Sequence, residues 1–160
     1  MRAVLRAFEG EDRMWRRAAL IFLLALVWKT AIVMASGHYQ EELMGEVPQT
    51  GRNLAAEGVF GDPFNIPTGP TAHVAPVCAA VIGLVYWVFG FGQTTQWVLV
   101  GMGLMFSALT WAGLQVYAEK QGLGARVALM ASAAGALFPF QYRCETTFSE
   151  AAVGPLLLMA

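Results

Sequence analysis

Few side chains in this sequence can do chemistry, and they gather in two short stretches. Glu46 stands in "EELMGEVPQTGRNLAAEG", residues 41–58, and Glu145 in "RCETTFSE", residues 143–150. A carboxylate at either place can act as a general base on a sugar or lipid hydroxyl, or bind a divalent cation through oxygen. If Glu145 or Glu150 shares a face with Glu46, the two can hold a metal together or divide acid and base roles. Two features set Glu46 above the other acids. In a helix it falls with Glu42, Gln49 and Asn53, away from a stripe of Leu43, Met44, Val47 and Leu54. It is also followed by "GDPFNIPTGPTAHVAP", residues 61–76, which holds four of the seven prolines and can wall a cleft. His73, in that strip, is a lone histidine, a type more often a hydrogen-bonded boundary residue than a catalyst. Asn65, Thr68 and Thr71 suit turns and caps. The chain has no GxSxG, Walker loop, HExxH or GxGxxG, so most soluble enzyme classes find no support. Cys78 and Cys144 fall in or beside apolar segments without a CxxC, as buried thiols do.

The elements that must position these groups are greasy. Of 160 residues, 57% are hydrophobic and 13% charged, against about a quarter charged in soluble domains. No Asp, Glu, Lys or Arg occurs from Pro63 to Ala118, from Val127 to Tyr142, or from Ala151 to Ala160. Apolar runs of about 18 residues or more predict membrane spans, so the fold class is an all-α, multi-pass transmembrane protein. No basic patch of the kind nucleic acid requires is present.

Residues 1–17 are polar and carry Arg2, Arg6, Arg13, Arg16 and Arg17, which predicts a cytoplasmic N-terminus in an inner (plasma) membrane. A first span follows over residues 18–35. No small-residue cleavage site succeeds it and further apolar segments do, so it is retained rather than a signal peptide. Lys29, towards its outer end, is expected to snorkel to the interface. Residues 36–73 then lie outside, with Glu41, Glu42, Glu46, Glu57 and Asp62 against Arg52 alone. Their helical part suits a segment lying flat at the membrane surface. Gly45, Pro48 and Gly51 predict that this helix is short or kinked. The proline strip predicts an extended path over the outer surface. Residues 74–160 bring further hydrophobic helices: 74–89, 96–117, 127–142, and a last run from Ala151. Gly101, Gly103 and Ser107 read as helix packing.

If 74–89 crosses the membrane, Lys120 and Arg126 lie outside. If it lies flat or dips back, 96–117 is the second crossing, Lys120 and Arg126 are inside, and Arg143, Glu145 and Glu150 return to the outer face. The positive-inside rule and the short length of 74–89 favour the second version. The sequence stops within an apolar run, as the front piece of a longer protein would.

One order of motifs is distinctive. An arginine-rich start and a first span lead to an outside acid, then "GRNLAAEGVFGDPF", "PTGPTAHVAP" and an apolar segment ending in "VFG". "SALTW" and "YRCETTF" follow. Over about Arg16 to Ala160 this resembles the N-terminal part of bacterial membrane glycosyltransferases of the GT-C fold, the family 39 group that includes protein mannosyltransferases and lipid A aminoarabinose transferases. Members show an acid, "ARxLAxGxGF", "PPLYP" and "LFG". Here Gly45 stands where many carry the first acid of an Asp-Glu pair, Pro48 is unexpected in that helix, and only Pro76 answers the prolines of "PPLYP". The resemblance implies transfer of a sugar from a polyprenyl-phosphate donor to an acceptor at the outer face. It implies that Glu46 and Glu145 are the catalytic acids. It also implies a cation to offset the leaving phosphate: Arg52, Asn65, His73 and Arg143 are the candidates to bind substrate, and a divalent cation is a possible cofactor. Membrane lipids are the remaining expected partner. The competing expectation is a non-catalytic multi-pass subunit or a small-molecule transporter, for which Lys29 is the one intramembrane charge available.

Overall fold

The computed structural model describes residues 2–37, 39, 45–64 and 66–138, with side chains from Glu11 onward. Every regular element among them is helical: α1 (Arg2–Ser36), α2 (Glu46–Glu57), α3 (Pro76–Phe89), α4 (Gln93–Lys120) and α5 (Ala125–Leu137). Two helices are long and apolar enough to cross a membrane, Glu11–Ser36 within α1 and Gln93–Lys120 as α4. At about 1.5 Å per residue each exceeds the roughly 30 Å of a hydrocarbon core. The shorter apolar helices, α3 with 14 residues and α5 with 13, reach only about 20 Å.

The polar segment 2–17 is not a separate element. It continues into α1 without a break, because Arg, Ala, Glu and Leu are all good helix formers and no Pro interrupts them. The buried residues of α1, Met14, Ala18, Ile21, Ala25, Lys29 and Val33, recur every three or four positions and form one stripe. That stripe faces α4. Arg17 meets Glu119, Lys29 meets Ser107, and Val33 packs with Val100 and Leu104. Partner numbers fall along α4 as they rise along α1, so the two helices are antiparallel. Just past α1, Tyr39 stacks on Trp97 at 4.5 Å and its carbonyl accepts Gln93 Nε2 at 2.9 Å. The chain therefore leaves α1 and enters α4 at the same end of the pair.

α5 turns back along both helices. Ala136 closes a cluster with Ile21, Ala25 and Ala108, and the Trp111 ring occupies the space a Cβ on Gly135 would need. Trp28 Nε1 donates to the Leu137 carbonyl at 3.0 Å. Phe138 is extended, ψ 116°, the backbone that a following proline imposes, and Pro139 follows.

α2 and α3 form a second unit beside the N-terminal half of α4. Its core is Ile82, Val85 and Tyr86 with Leu99, against which Val47, Ala55, Val98 and Met102 pack. The helices nearly touch backbone to backbone. A Cβ on Gly51 would lie 2.7 Å from Ile82 Cγ2 and 2.8 Å from the Ala79 carbonyl oxygen. Gly51, expected to weaken α2, is what lets α3 approach. Pro48 does not kink the helix either. It sits buried in the first turn, where no intrahelical N–H is required of it. Gly58 ends α2 at φ 70°, and its N–H caps the Leu54 carbonyl.

Candidate functional site

The residues that can act on a solute meet where α2 begins. Glu46 is its first residue, after Gly45 at φ 127°, a conformation glycine tolerates. A carboxylate there also faces the positive end of the helix dipole. His73, three residues before α3, brings Nε2 to 3.0 Å from Glu46 Oε2. Both side chains are open to solute, 65% exposed for His73 and 41% for Glu46. The imidazole is steadied locally. The His73 backbone N–H donates to Thr71 Oγ1 at 3.1 Å, and the centre of the Phe64 ring lies 6.2 Å from that of the imidazole. Val74, next in sequence, is buried.

The proline strip that delivers His73 is a closed loop, not an extended path. Gly61 and Pro70 form an antiparallel bridge, Asp62 N–H donates to the Gly69 carbonyl, and Thr71 N–H donates to that of Phe60. Asp62 Oδ1 accepts the backbone N–H groups of Thr68 and Gly69, each at 2.6 Å. The loop is strapped to α2 by Asn53, whose Nδ2 donates to the carbonyls of Gly61 and Asp62 at 3.0 and 3.1 Å. Gln49 Nε2 in turn holds Asn53 Oδ1 at 3.0 Å. Asp62 adopts φ 50°, which Asp tolerates better than most residues. The polar face of α2 thus binds its own loop, and Thr68 and Thr71 act within it as turn residues.

The structure brings Glu46 and His73 together and separates Arg52 from them. Arg52 lies six residues along α2, about 9 Å further on and some 240° around the helix. Its guanidinium stands 5.6 Å from the centre of the Phe91 ring, a cation–π arrangement. Asn65, Arg143 and Glu145 lie outside the described residues, as do Cys144 and Glu150. Among the described residues no group of three or more His, Cys, Asp or Glu side chains is placed to hold a metal ion.

A second polar feature lies inside the α1–α4 interface. Lys29 does not snorkel. It is 1% exposed, and its Nζ donates to Ser107 Oγ at 2.8 Å. Ser107 is ten residues from both Trp97 and Tyr117, about 15 Å along the helix each way, so the ammonium sits midway along α4. Lys29 occupies a position of the buried stripe, and side chains of a helix lean towards its N-terminus, away from the nearer end. Gly103 is buried on this side of α4, whereas a Cβ on Gly101 would meet nothing; only the first is a packing residue. At the far end Arg17 forks onto Glu119, Nε to Oε1 at 2.8 Å and Nη2 to Oε2 at 2.6 Å, and Gln115 Nε2 also donates to that carboxylate. Sequence inspection missed the pairing because the partners stand 78 and 102 residues apart.

Comparison of the chain with known protein families, with curated proteins and with solved structures returns no match. The likeness to GT-C glycosyltransferases therefore rests on the order of motifs in the sequence itself.

Proposed function

We propose that this chain is a multi-pass membrane glycosyltransferase, or the N-terminal portion of one, that takes a sugar from a polyprenyl-phosphate donor and gives it to an acceptor at the outer face of an inner (plasma) membrane. The observation that carries the proposal is the exposed Glu46–His73 pair at 3.0 Å. In this scheme α1 and α4 cross in opposite directions with the N-terminus in the cytoplasm. Two features support that placement. The exposed aromatics Trp97 and Tyr117 are 20 residues apart, about 30 Å along α4, which matches a hydrocarbon core with aromatic residues at both interfaces. Arg13, Arg16 and Arg17 lie at the same end as Lys120, and positive charge is kept on the cytoplasmic side. The segment from Tyr39 to Gln93 then belongs to the outer face, with Glu46.

The chemistry is a displacement. The acceptor hydroxyl attacks the anomeric carbon, its proton passes to the Glu46 carboxylate, the bond from that carbon to the phosphate oxygen breaks with inversion, and polyprenyl phosphate leaves. His73 Nε2–H holds one carboxylate oxygen and leaves the other to the hydroxyl. Charge on the departing phosphate calls for a cation, a role for Arg52, Arg143 or a divalent ion. Glu46→Gln keeps the shape and removes the base. Transfer of a labelled sugar in membranes should fall at least 100-fold while the protein level holds; transfer at the parental rate removes Glu46 from the mechanism.

Buried Lys29 favours a second reading, a transporter whose substrate path uses the intramembrane charge. The two separate in proteoliposomes. A transporter loses solute uptake on Lys29→Met and keeps it on Glu46→Gln; the enzyme loses transfer on Glu46→Gln.

A further inference from the structure

The exposed surface of α3 calls for an occupant. Val77, Leu84, Trp87 and Val88 are 57–75% exposed, and with Ala80 they recur at helical spacing along one face. The opposite face carries Ala79, Ile82 and Gly83 against α2, and Val85 and Tyr86 against α4. The open face is thus turned away from both packed neighbours. Three observations say what covers it. First, the chain leaves α1 and enters α4 at the same end, where Tyr39 stacks on Trp97; whatever lies between must return to that end. Secondly, α3 is uncharged and has 14 residues, about 21 Å, short of the roughly 30 Å a crossing needs. Thirdly, the polar groups of this unit belong to α2 and its loop: Arg52 and Glu57 are exposed there, and Glu46 and Asp62 are partly so.

From this we propose that α3 is a one-leaflet helix: its Val77–Leu84–Trp87–Val88 face lies in the acyl chains of the outer leaflet, with α2 above it at the headgroups. The occupant is bulk lipid. A protein partner would ask for a bounded patch. Here α1 (Leu23, Val27), α4 (Met105, Leu109) and α5 (Val127, Met130) expose large apolar residues as well, as helices facing one apolar solvent do. The exposed charge of Arg52, held over the Phe91 ring beside the α3–α4 turn, marks the level of the headgroups. Glu46 and His73 are thereby held against the outer leaflet surface, where a lipid-linked substrate lies.

The inference rests on the membrane reading above, and its test keeps the two apart. Spin labels are placed singly at Leu84, Trp87 and Val88 on α3, and at Leu109 as a mid-span control, in a background with Cys78 and Cys144 replaced by Ser. Collision with oxygen and with a water-soluble nickel chelate is measured in phosphatidylcholine vesicles. All four sites are at least 40% exposed, so labels should be tolerated. The expected result is oxygen-rich, nickel-poor α3 labels at shallow depth, with the Leu109 label deepest. Nickel accessibility at α3 equal to that of a label on exposed Gln121, α3 labels as deep as Leu109, or α3 labels shielded from both reagents would each overturn the proposal; the last signifies a second copy or another protein on this face. A water-exposed Leu109 label overturns the membrane reading itself.

Discussion

The α1–α4 pair and the α2–α3 unit differ in what joins their helices besides apolar packing. Between α1 and α4 the apolar packing of Val33 on Val100 and Leu104 is flanked by polar and charged contacts, the Arg17 fork on Glu119 and buried Lys29 on Ser107. Between α2 and α3 the helix contact is apolar and close, with Gly51 and Gly83 at the crossing. On α2, Gln49 and Asn53 turn to its own loop. Helices in lipid gain little from burying apolar surface against each other, because acyl chains are as apolar as Leu; close packing and polar contacts set their register. A unit at the membrane surface still borders water and can draw on the hydrophobic effect, about 25 cal/mol per Å² buried. Under the proposed membrane placement, the difference between the two regions is a difference in solvent.

The comparison breaks most sharply at Gly51. Gly51→Val puts a branched side chain where even a Cβ would be 2.8 Å from the Ala79 carbonyl oxygen. Backbone cannot step aside as a side chain can, so the cost should reach about 3 kcal/mol, the top of the usual range for overpacking. Thermal unfolding in detergent should show early loss of the α2–α3 unit while α1–α4 helicity persists. Gly101→Val, which meets open space, should change the midpoint little. Equal losses for both would mean that the close approach does not matter.

In the other region the test is a double-mutant cycle. Ser107→Ala takes an acceptor from the Lys29 ammonium and should cost about 1.5–3 kcal/mol, the range for hydrogen bonds to charged groups. Lys29→Met removes the buried charge with similar length and should cost less, or even stabilise, since apolar replacements of buried ionic groups often do. In the Lys29→Met background, Ser107→Ala should then be nearly silent. Additive losses would show that the contact does not couple the helices.

Asp62 and Asn53 come next. Asp62→Ala releases two backbone N–H donors and Asn53→Ala unstraps the loop; each should cost about 1–2 kcal/mol locally. Because these residues set the path to His73, protease cutting within residues 61–70 should rise without a fall in the stability of α1–α4. Unchanged cutting would leave the loop held by its prolines alone.

Legibility in the sequence follows the range of each contact. The apolar runs announce α3, α4 and α5 because long uncharged stretches can be read from composition alone, and every regular element among the described residues is helical. α1 is longer than its apolar part, since helix propensity continues through Arg2 to Arg17 where hydropathy does not. The Asp62 loop had a local signature, an Asp before Pro63 with Gly69 near. Neither Lys29 nor His73 had one. Their partners, Ser107 and Glu46, are brought up by packing over 78 and 27 residues, and a run of uniformly apolar residues does not reveal which face of a helix is inside. Gly51 was legible as a helix weakener and illegible as a contact, because α3 had first to be placed against it.

The smallest effect on stability should come from the residues with the largest proposed effect on chemistry. Glu46 and His73 form an exposed pair, and exposed ion pairs contribute about 0–1 kcal/mol. Glu46 has a further tie, its place at the positive end of α2, which Glu46→Gln weakens without opening a cavity. Both Glu46→Gln and His73→Ala should therefore unfold within a few degrees of the parent. They should part in activity. If Glu46 takes the proton and His73 only orients it, Glu46→Gln abolishes transfer. His73→Ala then lowers it by a smaller factor, and His73→Gln, which keeps a donor at a similar reach, restores part of the loss. Loss of transfer as deep in His73→Gln as in Glu46→Gln would move the base from the carboxylate to the imidazole. A large fall in melting temperature in either variant would instead make the pair a fixture of the α2–α3 unit, held by the same contacts as Gly51.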